Sequence, residues 1–445
     1  MNNTDIAMHS GRIDGELPDS SKARSLKTVA SASFAGTLVE WYDFFLYGTA
    51  AALVFNKLFF PTLSPLTGTL AAFATYAVGF LARPLGGIVL GHIGDRFGRK
   101  RALVFTLILM GLATFVIGLL PTYETLGIWA PVGLVLLRIV QGFGVGGEWG
   151  GAVLLVVEHA PTRWRGFFGS LAQLGVPLGM GLATIVFRIF SSLPEAQFLS
   201  WGWRVPFLLS AILVIVGLVI RARVSETPVF ETRRVREPGM PLLELFSTGK
   251  RALLQATGAR IAENGCFYIF STFVITYAVQ HLGLSRGFIL NAITLAVAVD
   301  IVSIPLFGYL SDRFGRRPVY LLGAIGTAVF AFPFFWLINT GSGPLIYVAL
   351  LIALPVLHAA MYAPQAALMA ELFPTRIRYS GISLASQIAS ILAGALSPLL
   401  ATLFLGTFGF SAIAFYMIGM AVITIVAVAW APETVARDLN ASGQG

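Results

Sequence analysis

The sequence predicts an all-α polytopic membrane protein with twelve transmembrane helices in two six-helix halves. Three observations carry that prediction. Of the 445 residues, 56% are hydrophobic and only 11% are charged, against about a quarter charged in soluble domains. Mean hydropathy is +0.81, and so few charges cannot cover the surface of a soluble fold. The apolar runs are long and lack strand-type alternation, which favours helices over a barrel. Third, several motifs occur twice, in the same order, in the two halves of the chain.

A membrane helix needs about 20 apolar residues. The first run of that kind, 29–55, holds "EWYDFFLYG", with two acids and no base. The second, 67–91, ends at "GHIGDRFGRKRA", and the third, 102–120, follows that basic loop. The fourth, 128–157, is too long for one crossing, so it tilts or ends in an extension beyond the bilayer. Runs five and six, 167–190 and 203–221, follow "PTRWRG" and "SWGW". A charged linker, 222–252, separates them from run seven, 253–280. The eighth, 288–310, ends at "GYLSDRFGRRPV" and leads to 319–338, 344–370, 381–405 and 409–430. The organisation expected is therefore a tail at 1–28, a half at 29–221, the linker, a half at 253–431 and a tail at 432–445. No cleavable signal is seen in the polar tail, and the first helix is expected to direct insertion.

The net charge of +9 would suit a nucleic-acid partner, but its placement argues otherwise. Lys and Arg crowd alternate loops, such as Arg96, Arg99, Lys100 and Arg101, or Arg313, Arg316 and Arg317, while the intervening loops hold little beyond Lys57 and Arg286. That is the positive-inside pattern, with both termini cytoplasmic, and the basicity reports topology and contact with anionic lipid. Cys266 is the single cysteine, which leaves no disulfide frame or thiolate metal site.

The duplication is specific. "GHIGDRFGRKRA" at 91–102 returns as "GYLSDRFGRRPV" at 308–319. "VEHAPTRWRG" at 157–166 returns as "AELFPTRIRYSG" at 370–381, and "SETP" at 225–228 as "PET" at 432–434. Three motifs in one order at nearly equal separations mark a repeat. An even number of helices per repeat keeps the halves parallel, which suits a transporter rocking about a midplane site.

With these motifs and "QGFGVGGEWGGA" after Arg138, the chain resembles the major facilitator superfamily over about residues 25–437. "EWYDFFLYG", "FLARPLGG" and "SWGWRVPF" look like its metabolite:proton symporter family, whose members move dicarboxylates, citrate, shikimate, or proline and betaine. "AQFLSWGWR" leans toward the shikimate-like branch. The resemblance implies a secondary active transporter in the bacterial inner membrane. It would act as a monomer on a small-molecule metabolite and protons, and need no cofactor beyond the proton gradient.

A charge at a helix centre costs roughly 2.5–3.5 kcal/mol on insertion scales, so each must face a partner or a wet cavity. Asp43 and Arg138 lack opposite charges on their own helices, and a pair across the bundle would neutralise both. In related sugar–proton symporters the matching pair couples the proton; the other reading is a static ion pair. Glu40, one turn from Asp43, shares the site or lines the cavity. Glu148 either does proton work or is satisfied by tight packing at its glycines, among them Gly142 and Gly146. Arg83 is a carboxylate anchor if it faces the cavity and a snorkelling residue otherwise.

By the same resemblance Gln173 is a substrate ligand, unless it only joins helices, and Asn264 lies where relatives place polar ligands. Tyr362, Gln365, Gln387 and His358 are further substrate candidates. His358 could titrate near neutrality or serve as a hydrogen-bonded spacer. Arg260 and Glu263 satisfy each other at i, i+3. The repeated loops imply a charge network that latches one state: Gly91, Asp95, Arg96, Gly98 and Arg99 in one half, with Asp312, Arg313 and Arg316 in the other. The arginines would reach acids of the opposite half, with Glu158, Glu371, Glu226 and Glu433 on the acidic side and Arg165 and Arg378 near by. Simple membrane anchoring explains the bases but not the acids.

Proton-coupled uptake of a small organic acid or zwitterion is the leading expectation. Proton-antiport export is the alternative, because "LGVPLGMGLA" loosely resembles an antiporter motif. An enzyme is not expected: no metal cluster, Ser–His–Asp set or phosphate loop appears.

Overall fold

The computed structural model describes residues 36–97, 99–146, 153–154, 156–158, 160–222, 241–435 and 437. Side chains are described there except at 91–103, 220–222 and 241–244. The secondary structure of the described residues is helical, with the twelve-helix architecture. In order these are α1 (Gly36–Leu58), α2 (Pro65–Phe97), α3 (Arg99–Leu119), α4 (Trp129–Val145), α5 (Thr162–Ser191) and α6 (Arg204–Ala222). Then come α7 (250–281), α8 (Arg286–Phe314), α9 (Arg316–Asn339), α10 (Gly343–Leu372), α11 (Arg378–Phe408) and α12 (Phe410–Trp430). Short helices precede α6 (Glu195–Gly202) and α7 (Pro241–Thr248).

Eight of these are long and apolar enough by themselves to cross a membrane. Helix α7 is not among them, because Arg260, Glu263 and Asn264 sit in its middle, buried in protein. Of the long fourth run, 129–145, 153–154 and 156–158 are helical, and residues 147–152 and 155 lie outside the described ones. Residues 29–35 of the first expected span lie outside the described residues.

Burial sorts the helices. The apolar window of α1 is 89% buried and that of α9 only 39%, so the acids of α1 lie deep in protein. Outward-facing Ile88, Leu112, Val302, Val329 and Phe415 are more than half exposed, the apolar coat that a bilayer demands. Within the first half, α2 packs on α4 and α3 on α6; within the second, α12 packs on α7 and α9. The halves meet where α5 crosses α8 and α10, and where α2 crosses α11.

Two local features position the site. At the α2–α4 contact Gly79, Gly86 and Gly87 face Gly142 and Gly146. A Cβ on Gly142 would run into the Gly79 carbonyl, and one on Gly146 into the Arg83 carbonyl. Small residues thus let the two backbones touch, which carries Arg138 and Arg83 into one space. Helix α5 breaks at Gln173 and Leu174. Pro177 has no N–H to offer the Gln173 carbonyl four residues back. The Val176 N–H takes that carbonyl at 3.1 Å and tightens the turn. Helices α7, α10 and α11 each contain π-helical turns, at Ile269–Phe273, Ala353–His358 and Ser390–Ala395 among others. Such turns re-aim side chains inside a helix and concentrate at functional sites.

Candidate functional site

The buried charges of the first half gather around Phe44. The Arg83 guanidinium lies 4.6 Å from its ring centroid and Arg138 lies 4.7 Å from it. Arg138 also stacks on Tyr47 and Tyr76, at 4.3 and 4.8 Å, and Arg83 on Phe80 at 4.6 Å. Ring faces stabilise a desolvated cation, but they are not counterions. Among the described residues neither arginine makes an ion pair. Two guanidinium nitrogens of each, Nε and one Nη, are buried without a hydrogen-bond partner.

The expected direct Asp43–Arg138 ion pair does not form. Asp43 Oδ2 accepts from the Thr114 hydroxyl at 2.8 Å. Thr114 Oγ1 accepts from Gln141 Nε2 at 2.7 Å, and Gln141 Oε1 accepts from Arg138 Nη1 at 3.1 Å. A threonine and an amide therefore stand between acid and base. The reason is steric: Arg138 lies flat across Gly79, where it is held by the rings. Asp43 Oδ1 is buried without a partner. Sequence reasoning missed Thr114 and Gln141. An uncharged threonine in α3 carries no signal, whereas Gln141 stands at i+3 from Arg138 and was findable.

In the second half Glu263 is the hub. Arg260 Nε lies 3.5 Å from Glu263 Oε2, and Gln365 Nε2 donates to that oxygen at 2.8 Å. His358 Nε2 lies 3.5 Å from Glu263 Oε1, and its ring stacks on Phe267 and Tyr362 at 4.5 and 5.1 Å. Arg260 Nη1 donates to Ser386 of α11 at 2.9 Å.

A small cavity of about 30 Å³, enough for a water or two, lies between the halves. Glu40, Arg83, Asn264, Tyr362, Gln387 and His358 are on its wall. Arg83 thus faces the cavity, not the lipid headgroups. Asn264 Oδ1 is unpartnered there, and Gln387 Nε2 reaches across to the Gly146 carbonyl at 3.1 Å. Two expected ligands do not line the cavity. Gln173 donates to the Tyr362 carbonyl at 2.7 Å and joins α5 to α10, while Gln365 is wholly buried against Glu263 and Tyr320. The break in α5 turns the first away; the demand of Glu263 for a donor holds the second.

Bonds between the halves span both ends of the cavity. At the basic end Asp312 accepts from the backbone amides of Gly166 and Phe167 at 2.8 Å each, capping the start of α5 from the other half. Arg378 pairs with Glu158 across the halves at 3.1 Å. Arg316 does not cross. It pairs with Asp312 at 2.6 Å and Glu371 at 3.3 Å, both in its own half, because the i−4 carboxylate is the nearest. Glu433 accepts from the amides of Arg316 and Arg317 at the start of α9, after Gly315 turns the chain at φ +101°. Arg165 donates to the Arg437 carbonyl. Arg313 makes no ion pair among the described residues and stands over Phe314. Gly98, Glu148 and Glu226 lie outside the described residues. Gly91, Asp95, Arg96 and Arg99 are helical, with side chains outside the described ones. At the opposite end Gln280 donates to the Ala52 carbonyl at 2.9 Å and accepts from Thr69 at 3.1 Å, and Arg188 donates to Asn291 at 3.2 Å.

Residues 33–386 and 264–445 match the Major Facilitator Superfamily. The shikimate transporter of Escherichia coli (strain K12) is 42% identical over 402 residues, 89% of this chain and 91% of that protein. The inner membrane metabolite transport protein YhjE of the same strain is 41% identical over 92% of this chain and 95% of that one. The proline/betaine transporter of that strain is 38% identical over 96% of this chain and 87% of that one. Among solved structures, the proton:xylose symporter XylE bound to 6-bromo-6-deoxy-D-glucose gives a TM-score of 0.73 at 20% identity, over 93% of this chain and 97% of that one. Inward-open XylE from E. coli gives 0.70 at 20% identity, over 93% and 98%. At that identity the likeness speaks for the fold. This chain is a multi-pass membrane transporter, not an enzyme, and it belongs to the major facilitator superfamily.

Proposed function

We propose that the chain imports a small carboxylate-bearing metabolite together with a proton, by alternating access. Shikimate, a dicarboxylate or a zwitterion such as proline fits this class. The observation that carries the reading is Arg83: a guanidinium that is buried, on the cavity wall beside Glu40, with two unpartnered nitrogens and no ion pair among the described residues. An uncompensated buried charge is costly, and a substrate carboxylate, bound bidentately, would remove that cost. The named ligands of the relatives, shikimate, proline and betaine, share a carboxylate. Asp43, buried with one free oxygen, supplies the protonatable group; neutralised, it lets an anion enter beside it.

In this reading the basic loops face the cytoplasm by the positive-inside rule, with both termini on that side of the inner membrane. The barrier at Glu158 and Arg378 is then the inner gate. The chain works as a monomer and needs no cofactor.

The test is uptake of radiolabelled shikimate into proteoliposomes under an imposed inward proton gradient. Uptake should stop with a protonophore and with Asp43→Asn. Arg83→Gln should weaken shikimate binding about 10- to 100-fold, the worth of hydrogen bonds between charged groups, while Arg83→Lys recovers part of it. Wild-type uptake indifferent to the protonophore would remove the coupling, and efflux driven by the same gradient would make the chain an exporter.

A further inference from the structure

The acid and base of the first half communicate through two uncharged residues. We propose that Thr114 and Gln141 form a switchable hydrogen-bond bridge through which proton binding at Asp43 sets the anion affinity of Arg138. The inference rests on the symport reading above and adds the residues that would link its two halves, the proton and the anion.

Direction is the first argument. Arg138 donates to the Gln141 carbonyl, the Gln141 amide donates to Thr114, and Thr114 donates to Asp43 Oδ2, at 3.1, 2.7 and 2.8 Å. Every bond points from cation to anion, so each polarises the next. Such a chain holds Arg138 electrically to an acid it does not touch.

The second argument is that Thr114 has an alternative. Its hydroxyl carries one proton and lies within reach of two acceptors, Asp43 Oδ2 and the Met110 carbonyl at 3.0 Å. An ionised carboxylate wins that competition because charge-assisted bonds are the stronger ones. A proton arriving through the small space that Asp43 borders would land on the unpartnered Oδ1. The neutral carboxyl then accepts weakly, and the hydroxyl turns to Met110. The chain from Arg138 now ends on a backbone carbonyl. Arg138, with two unpartnered nitrogens, borders the same small space as Asp43 and Arg83, and an incoming carboxylate becomes its counterion. Proton first, anion second is the order this gives. A direct ion pair would bind Arg138 too firmly for that exchange, since breaking a buried pair costs about 3–5 kcal/mol.

The other groups around Asp43 are few. Glu40 and Tyr42 share its helix; Arg83 and Tyr76 come from α2, and Arg138 from α4. Helix α3 contributes Thr114 and Met110. Arg204 of α6 sits one turn further along α3, bound to the Gly118 and Leu120 carbonyls.

Two measurements test the bridge. The first needs no ligand: infrared difference spectra of the purified protein between acid and neutral pH. We expect a carboxyl band that disappears in Asp43→Asn. It should be accompanied by a glutamine amide band that disappears in Gln141→Leu. In Thr114→Val the carboxyl band should persist and the amide band vanish, and Thr114→Ser should restore it. The second is shikimate affinity across the same pH range. Thr114→Val should cut a wild-type change of about 10-fold, within the usual range of coupling between sites, to about 2-fold, again with rescue by Thr114→Ser. An Asp43-dependent carboxyl band with no Gln141-dependent amide change would overturn the bridge alone. No Asp43-dependent band at all would overturn the symport reading with it.

Discussion

Arg378 of α11 and Glu158, at the end of the helical residues 156–158, meet at 3.1 Å across the line where the two halves part. The arginine is nearly enclosed, at 3% side-chain exposure, whereas the glutamate is 38% exposed. A half-solvated pair of this kind is worth about 0–1 kcal/mol, enough to bias a state and too little to lock it. Arg378 holds two further acceptors, the Phe373 carbonyl and Thr375, both in its own half. Glu158→Gln should therefore shift the balance toward opening at the basic end by a factor of up to about five. Spin labels at Thr162 and Lys250, both exposed, would read this as a growing long-distance population. An unchanged distance distribution would deny the pair any part in gating.

What was legible in the sequence was what depends on local signals. Run lengths gave the twelve helices, and repeated motifs gave the two halves, because both are properties of contiguous residues. Pairings between helices were less legible, since they depend on each helix's rotation about its axis. Asp43 and Arg138 share one site, yet ring contacts draw the arginine off and Thr114 fills the gap. Gln173 was a candidate for the cavity until the turn before Pro177 aimed it at α10. Arg316 chose the acid four residues back on its own side rather than one across the interface.

The α2–α4 contact yields a prediction with a built-in control. A methyl on Gly142 would strike the Gly79 carbonyl, which is backbone and has nowhere to go. On Gly144, two residues along, the nearest atoms to a new methyl are at 3.4 Å, an ordinary contact. Gly142→Ala should lower stability by about 1–3 kcal/mol or more, as overpacking does, and displace Arg138. Gly144→Ala should melt within a degree or two of wild type, helped by alanine's better helix propensity of about 1 kcal/mol. Thermal melts in one detergent decide it; equal losses in both variants would mean the contact is not as tight as described.

Glu263 holds a larger share of stability than its one ion pair suggests. It is the acceptor for Gln365 and the neighbour of both Arg260 and His358, all buried. Glu263→Ala should cost about 3–5 kcal/mol, the usual result of stripping a buried cation of its partner. Glu263→Gln should cost less, since its carbonyl still accepts from Gln365. Adding Arg260→Met to Glu263→Ala should recover much of the loss, because no orphaned charge then remains. A double variant as unstable as the sum of its single changes would contradict this account of the cluster.

The bonds at the two ends should answer mutation with opposite signs. At the end away from the basic loops, Gln280 of α7 spans the halves by donating to the Ala52 carbonyl of α1 and accepting from Thr69 of α2. Gln280→Leu keeps the bulk and removes both bonds, each worth about 0.5–1.5 kcal/mol. It should therefore open that end, which labels at the exposed Ser200 and Thr340 would report as a longer distance. The Thr162–Lys250 distance should not lengthen in the same protein, because opening both ends at once would breach the barrier that alternating access requires. Arg378→Ala should do the reverse, lengthening the Thr162–Lys250 distance and sparing the other. If both variants lengthen the same distance, the bonds at Gln280 and Arg378 serve general cohesion of the halves, and the two gates must be sought elsewhere.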